Sequence, residues 1–181
     1  MKKIMFNDKY GLTQAVLEGS KTQTRRTFLK PGEETLLDGI TPEYLISVRS
    51  RYKVGETIAI AQPYADITPQ VDWVKCMIRK ETLGWNNKMF VRAEDMPHHI
   101  RITKIRIERL QDIKSEDCLK EGLWRSGDVG LEGTTYWYHG LSNSSFRTPQ
   151  EAYASLIDRI SGKGTWASNP YVFVYDFELI N

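Results

Sequence analysis

The chain has 181 residues, of which 40% are hydrophobic and 27% are charged. This balance is typical of one folded globular domain, and a chain of this length folds without disulfides or a structural metal. No apolar run reaches the roughly 18 residues of a membrane-spanning helix, and the N-terminal residues lack the apolar segment of a signal peptide. The two cysteines, Cys76 and Cys118, lie far apart. We therefore expect a reduced, cytoplasmic protein with no membrane association, metal or cofactor.

The formal net charge of +2 conceals an uneven distribution of charge along the chain. Residues 1–107 contain 18 Lys and Arg against 12 Asp and Glu, whereas residues 108–181 contain 7 against 11. Many of the basic residues in the first part lie in runs that contain no acidic residue, at 19–32, 44–55 and 96–107. This asymmetry indicates a polyanionic partner for one part of the surface.

The first half of the chain predicts one helix followed by several short strands. A helix is expected over residues 9–18, ended by Gly19, and the threonines of 21–26 favour an extended conformation after it. Strands are expected at 57–61, 89–91 and 100–107. In the last of these, the apolar alternation shifts by one residue between Ile102 and Ile105, as a β-bulge would produce.

The second half predicts two helices and a final strand. A short helix is expected over 115–122, and Thr148-Pro149-Gln150-Glu151 is a strong signal for a helix that ends at Gly162. The strand expected at 171–179 has aromatic residues at alternate positions, which we expect in the core: Tyr171, Phe173, Tyr175 and Phe177.

Strands mixed with short helices, without a repeated strand–helix–strand rhythm, indicate an α+β fold built on a small barrel. No low-complexity linker divides the chain, so we expect a single domain over residues 1–181. Three segments lack a useful periodicity and are expected to be loop insertions, at about 30–50, 64–88 and 124–147.

A motif of the form Gly-x-Lys-x-x-Thr-x-Arg follows directly on the first predicted helix, with Gly19, Lys21, Thr24 and Arg26 at its fixed positions. By this motif the chain resembles the ASCH family, a branch of the PUA-like β-barrels. Further segments resemble the ASCH proteins of bacteriophages and prophages, at 52–56, 100–113, 115–122 and 166–177. The resemblance covers both ends and the middle of the chain, and it lapses over the three predicted insertions.

The resemblance implies a small mixed barrel with short flanking helices and a cleft beside the motif that binds RNA or a nucleoside. The compact bacterial acetylcytidine amidohydrolases are ASCH proteins that use a Lys, a Thr and a Glu. By position in the matching segments, these correspond to Lys21, Thr24 and Glu121. This chain is much longer than the compact hydrolases, and its insertions could reshape or cover the cleft.

Amide hydrolysis needs a nucleophile, a base and a group that steadies the developing charge. Thr24 could attack, and Lys21 could be the base if its pKa fell from about 10.4 towards 7. Arg25 and Arg26 would lower that pKa and a nearby Glu121 would raise it. Glu121 could instead orient the base or protonate the leaving amine. Alternatively, the Lys–Glu pair only closes the barrel or holds a ligand phosphate.

Three functional hypotheses therefore stay open. The first is an RNA- or modified-nucleoside-binding domain, the second an amidohydrolase of an acylated cytidine, and the third a phage accessory module that binds another protein. For the first hypothesis, the basic runs and the motif supply the ligand-contacting candidates Gly19, Arg25, Arg26, Arg101, Lys104 and Arg106.

Overall fold

The structure, a computed structural model, describes residues 1–29, 39–67, 80–126, 133–140 and 145–180. Within these residues the strands are β1 (Lys2–Ile4), β2 (Gln23–Thr27), β3 (Thr57–Ile60), β4 (His99–Arg109), β5 (Trp124–Arg125), β6 (Tyr136–Trp137) and β7 (Tyr171–Ile180). The α-helices are α1 (Leu12–Leu17), α2 (Pro42–Arg49), α3 (Tyr64–Ile67), α4 (Ser115–Lys120), α5 (Pro149–Ser161) and α6 (Thr165–Ser168). None of these helices is long and apolar enough to cross a bilayer.

The main sheet has five strands in the order β1-β3-β4-β7-β2. β1 pairs with β3 in parallel, and the other three pairs are antiparallel. The expected α+β class is confirmed, but the described strands form an open sheet and no closed barrel. Its two edges, β1 and β2, do not pair; instead Arg26 Nη2 donates a side-chain hydrogen bond to Met5 O at 2.7 Å.

The long strand β4 and the last strand β7 form the centre of the sheet. The pairing register between them shifts between Ile102 and Lys104, which confirms the predicted bulge. The aromatic side chains of Phe173, Tyr175 and Phe177 are buried, as expected for core residues, whereas Tyr171 is only partly buried. Val172 and Val174, which point the other way, are also buried, so this part of β7 is covered on both faces.

Helix α5 begins where its sequence signal predicts. Glu151 N donates to Thr148 Oγ1 at 3.2 Å and Thr148 N donates to Glu151 Oε2 at 3.3 Å, which completes a capping box. The predicted helix over 9–18 is instead divided by Gly11, whose φ is +64°. A Cβ at Gly11 would lie 2.8 Å from His139 Cβ, so the close approach of the 133–140 segment requires glycine there.

Two local predictions are wrong. The strand expected at 89–91 is a 3₁₀ turn, Lys88–Phe90, because the Asn87 side chain accepts a hydrogen bond from Met89 N at 3.0 Å and caps it. The loop expected near 30–50 contains α2, which Thr41 caps by accepting from Tyr44 N at 3.3 Å. In the third segment, β5 and β6 form a small two-stranded sheet. The rest of the three predicted insertions lies partly outside the described residues.

Candidate functional site

The motif follows α1 and is held against the end of α4 by backbone hydrogen bonds. Lys21 N donates to Ala15 O and Thr22 N donates to Lys120 O, both at 2.9 Å. Gly19, with a φ of +75°, supplies the left-handed turn between α1 and the motif and is exposed. A Cβ on Gly122 would lie 3.2 Å from Leu12 Cδ2, so the ends of α1 and α4 pack tightly. This packing brings Lys21 beside Glu121.

Lys21 and Glu121 form a buried ion pair. Lys21 Nζ donates to Glu121 Oε2 at 2.7 Å, and to the backbone oxygens of Glu121 and Gln23 at 2.8 Å each. The two side chains are only 1% and 5% exposed. Burial lowers the pKa of Lys21 from its ordinary value of 10.5, and the adjacent Glu121 carboxylate acts in the opposite direction. The three donor positions of the ammonium group are thereby used within the protein.

Arg25 occupies the other oxygen of the same carboxylate. Its Nη1 donates to Glu121 Oε1 at 2.9 Å and to Gln23 Oε1 at 2.6 Å, while its Nη2 donates to Glu108 Oε1 at 2.6 Å. Burial alone would lower the pKa of Arg25, but the neighbouring anionic groups, Glu121 foremost, outweigh it and raise that pKa. Glu121 is therefore held between two buried cations, one on each oxygen.

An ion-pair network extends from Arg25 along the outside of the sheet. Arg106 donates to Glu108, Asp117 and Asp176 at distances of 3.0, 2.8 and 2.7 Å. These contacts fix the orientation of Glu108, which in turn holds Arg25. Through Arg25, the network thus stabilises the position of the Lys21–Glu121 pair.

A cleft of about 340 Å³ opens beside this pair, between the segment after β1, strand β2 and helix α5. Its polar and charged lining residues are Asn7, Lys21, Thr24, Arg25, Arg26, Thr27, Glu121, Tyr153 and Ser161. Leu12, Leu110, Leu156, Ile157 and Val172 are among the apolar ones. The cleft therefore combines an apolar wall with a few polar groups, as small-molecule sites do.

The structure brings five of the nine predicted site residues together at this cleft: Lys21, Thr24, Arg25, Arg26 and Glu121. The other four, Gly19, Arg101, Lys104 and Arg106, do not line it. Arg101 and Lys104 are exposed on β4, where Arg101 Nη1 lies 3.5 Å from Glu178 Oε1. Arg106 is turned into the ion-pair network.

The hydroxyl group of Thr24 forms no hydrogen bond within the described part of the chain. Thr24 lies on β2 opposite Tyr175, and its side chain is buried at the cleft. No hydrogen bond joins its Oγ1 to Lys21 Nζ, whose donors are directed at Glu121 and Gln23. A ligand in the cleft can therefore engage this hydroxyl without breaking a contact among the described residues.

Tyr153, on α5, lines the cleft and is not among the site residues predicted from the sequence. It is 1% exposed, and its hydroxyl is the sole buried side-chain polar atom among the described residues that has no hydrogen-bond partner. Burial raises the pKa of Tyr153 well above its ordinary value, so the phenol stays protonated and can donate. The sequence signal that could have identified Tyr153 is a tyrosine on an otherwise apolar helix face, because a buried hydroxyl needs a hydrogen-bond partner.

Comparison with known proteins gives distant structural similarities. No protein-family model matches the chain, and no curated protein matches it either. One similar crystal structure is that of protein EF3133 from Enterococcus faecalis, which belongs to the family model DUF984. The two chains are 15% identical, and their TM-score is 0.42 over 99% of this chain and 80% of that one. An ASCH domain from Lactobacillus crispatus is similar at 12% identity, with a TM-score of 0.40 over 96% of this chain and 75% of that one. An ASCH domain is thus among the solved structures that this chain resembles, but likenesses this distant carry no information about the chemistry of the cleft.

Proposed function

We propose that this protein is a PUA-like ASCH domain that binds a nucleoside, free or within RNA, in the cleft beside Lys21, Thr24 and Glu121. One observation carries the proposal: the motif residues and Glu121, which is 100 positions away from Lys21, converge on a single cleft, with Lys21 Nζ 2.7 Å from Glu121 Oε2. The motif resemblance implies the same grouping of Lys21, Thr24 and Glu121.

The chemistry of the cleft suits a nucleobase and its sugar. The apolar side chains of Leu156, Ile157 and Val172 offer a surface against the face of a base. The hydroxyls of Thr24 and Tyr153 offer donors to a ring carbonyl, and neither is engaged within the described part of the protein. A volume of about 340 Å³ lies within the range of small-molecule sites.

Nuclear magnetic resonance titration with acetylcytidine, and with cytidine for comparison, tests this proposal. We expect saturable amide shifts in β2, at Glu121 and along the second half of α5, because those segments line the cleft. Shifts confined to other surfaces, or no shift at millimolar ligand, would show that the cleft does not bind nucleosides.

A second candidate function is hydrolysis of the acyl amide of an acylated cytidine. The free Thr24 hydroxyl beside a buried lysine, whose pKa is lowered by burial, is the observation that favours it. Thr24 Oγ1 would attack the acyl carbon while neutral Lys21 takes the hydroxyl proton. That proton would pass to the departing amine of cytidine, leaving an acyl ester on Thr24 that water hydrolyses to the free acid.

The contacts of Lys21 set the condition for this reaction. Lys21 must lose a proton to act as a base, and its lone pair must then turn from Glu121 or Gln23 towards Thr24. Arg25 would continue to neutralise Glu121 through its contact at 2.9 Å. Chromatographic detection of cytidine and acetate from acetylcytidine tests the reaction, and binding without any release of cytidine would exclude it.

A further inference from the structure

A second cavity adjoins the cleft on the other side of Arg26. It has a volume of about 430 Å³ and shares Met5, Arg26 and Thr27 with the cleft. Its other lining residues are Lys3, Ile4, Phe28, Arg49, Arg51, Tyr52, Phe173 and Tyr175. The two cavities therefore meet along the gap between the sheet edges β1 and β2.

The second cavity carries positive charge that no carboxylate of a described residue neutralises. Arg26, Arg49 and Arg51 are all exposed, no carboxylate lines the cavity, and none of the three forms an ion pair with a described residue. The protein neutralises other arginines, since Arg25 and Arg106 each contact at least two carboxylates. No carboxylate among the described residues therefore competes with an anion for these three arginines, although Arg26 Nη2 also donates to Met5 O.

The side chains of Lys3, Tyr52 and Tyr175 in this cavity are already engaged. Lys3 Nζ donates to Met89 O and Val91 O at 2.7 and 2.6 Å. The Tyr52 hydroxyl donates to Lys3 O at 3.3 Å, and the Tyr175 hydroxyl lies 3.1 Å from Ser50 Oγ. The unused hydrogen-bonding capacity therefore consists of the Thr27 hydroxyl and the guanidinium groups. The paired N–H donors of a guanidinium group match the oxygens of a phosphate.

Aromatic rings form the floor beneath these arginines and hold one of them in place. Tyr52 and Tyr175 pack edge to face, with centroids 5.2 Å apart. The guanidinium of Arg51 lies 5.7 Å from the centre of the Tyr52 ring. The contact with the ring restricts Arg51, so this residue loses less side-chain entropy when an anion binds.

We propose that the second cavity binds a phosphate ester of the same ligand whose nucleoside part occupies the cleft. This inference rests on the proposed function and narrows it, because the ligand then becomes a nucleotide or an RNA strand and not an unphosphorylated nucleoside. Arg26 contacts both cavities and lies where the sugar would join the base to the phosphate.

Calorimetric titration tests the inference with four probes: acetylcytidine, its 3′- and 5′-monophosphates, and a trinucleotide RNA with acetylcytidine at its centre. We expect a phosphate to raise affinity at least about tenfold at low salt, with the gain shrinking as salt increases. In the double variant Arg49→Gln/Arg51→Gln we expect the ratio of nucleotide to nucleoside affinity to fall towards one. Arg125→Gln removes an exposed arginine outside both cavities and should keep the wild-type ratio.

The possible outcomes separate the two proposals. Higher affinity for either monophosphate than for acetylcytidine would show that a free nucleotide is a sufficient ligand. Higher affinity for the trinucleotide alone would identify RNA as the ligand. Both results support the phosphate site. Equal affinity for phosphorylated and unphosphorylated probes would overturn the phosphate site and leave nucleoside binding intact. A gain that survives in the double variant, with its melting temperature unchanged, would also overturn the assignment. Failure of every probe to bind would instead refute the proposed function.

Discussion

Lys21 donates a hydrogen bond of 2.7 Å to Glu121, a residue 100 positions later, and both side chains are almost fully buried. The pair joins the basic first part of the chain to the acidic second part. A small net charge therefore conceals a site in which charges of both signs are concentrated. Buried pairs of this kind are costly to break, because removing one partner leaves an uncompensated charge in a poorly solvated place.

Replacing Glu121 by glutamine should destabilise the protein strongly. Lys21 would lose the carboxylate that neutralises it and Arg25 would lose one of its carboxylate contacts. Breaking such a buried pair costs about 3–5 kcal/mol. Urea denaturation of wild type and Glu121→Gln measures the loss. Glu116→Gln, on the exposed side of α4, is the matched control and should change the free energy of unfolding by less than about 0.5 kcal/mol. Equal effects of the two substitutions would show that the pair does not hold the site together.

Replacing Thr24 by valine should abolish the candidate reaction while leaving the fold intact. The Thr24 hydroxyl has no hydrogen bond within the described residues, so we expect the free energy of unfolding to change by less than about 1 kcal/mol. If Thr24 is the nucleophile, the release of cytidine from acetylcytidine should disappear in this variant. Thr103→Val, at an exposed position of β4, controls for the loss of a strand threonine. Undiminished release by Thr24→Val would exclude Thr24 as the attacking group.

Replacing Tyr153 by phenylalanine should leave the unliganded protein at least as stable as wild type. The hydroxyl is buried without a partner, and removing an unsatisfied polar group is neutral or stabilising. Affinity for acetylcytidine should nevertheless fall about tenfold, the equivalent of one hydrogen bond of roughly 1.4 kcal/mol. Thermal melting and calorimetric titration of the two proteins measure both quantities. A less stable variant with unchanged affinity would mean that the hydroxyl serves the fold and not the ligand.

Asp117 gives the ion-pair network a defined dependence on pH. Burial alone would raise the pKa of Asp117, but the hydrogen bond from Lys120 and the charges of Arg106 and Arg25 outweigh it and hold that pKa below its ordinary value of 3.8. The folded state therefore binds this proton less tightly than the unfolded state. The resulting stabilisation is complete above pH 3.8 and is lost as the pH falls through the folded-state pKa.

Melting curves of wild type and Asp117→Asn between pH 7 and pH 2.5 test this dependence. We expect wild type to be the more stable protein at neutral pH and the difference to shrink as the pH falls, because the wild-type carboxyl then takes up a proton and loses its charge. Asp112→Asn, an exposed position close in sequence, serves as the control. A difference that stays constant over the whole range would mean that Asp117 does not act through its charge.

Local signals predicted the elements that depend on local interactions. The Thr148–Glu151 capping box fixes the start of α5, and the phase shift in the third predicted strand marks the bulge after Ile102. The strand predicted at 89–91 does not form, because three apolar residues without a neighbouring strand to pair with do not make a strand. Met89 and Phe90 are 58% and 52% exposed, so no sheet covers them.

The candidate site was predictable only as far as its motif extends. Lys21, Thr24 and Glu121 were expected together because the family resemblance related their positions, and the cleft contains all three. Tyr153 and the second cavity depend on how α5 and α2 pack against the sheet. No local sequence pattern predicts such packing, because it arises from contacts between residues that lie far apart in the sequence.

Calorimetric titration of acetylcytidine against a variant that blocks the cleft tests the central claim most directly. Ser161 is exposed at the end of α5 and lines the cleft, whereas Ser168 is exposed on α6 and does not. Wild type and Ser168→Trp should bind acetylcytidine with the same affinity, and Ser161→Trp should bind at least about tenfold more weakly because the indole fills the cleft. Equal binding by all three proteins, or by none of them, would contradict the assignment of the cleft as a nucleoside site.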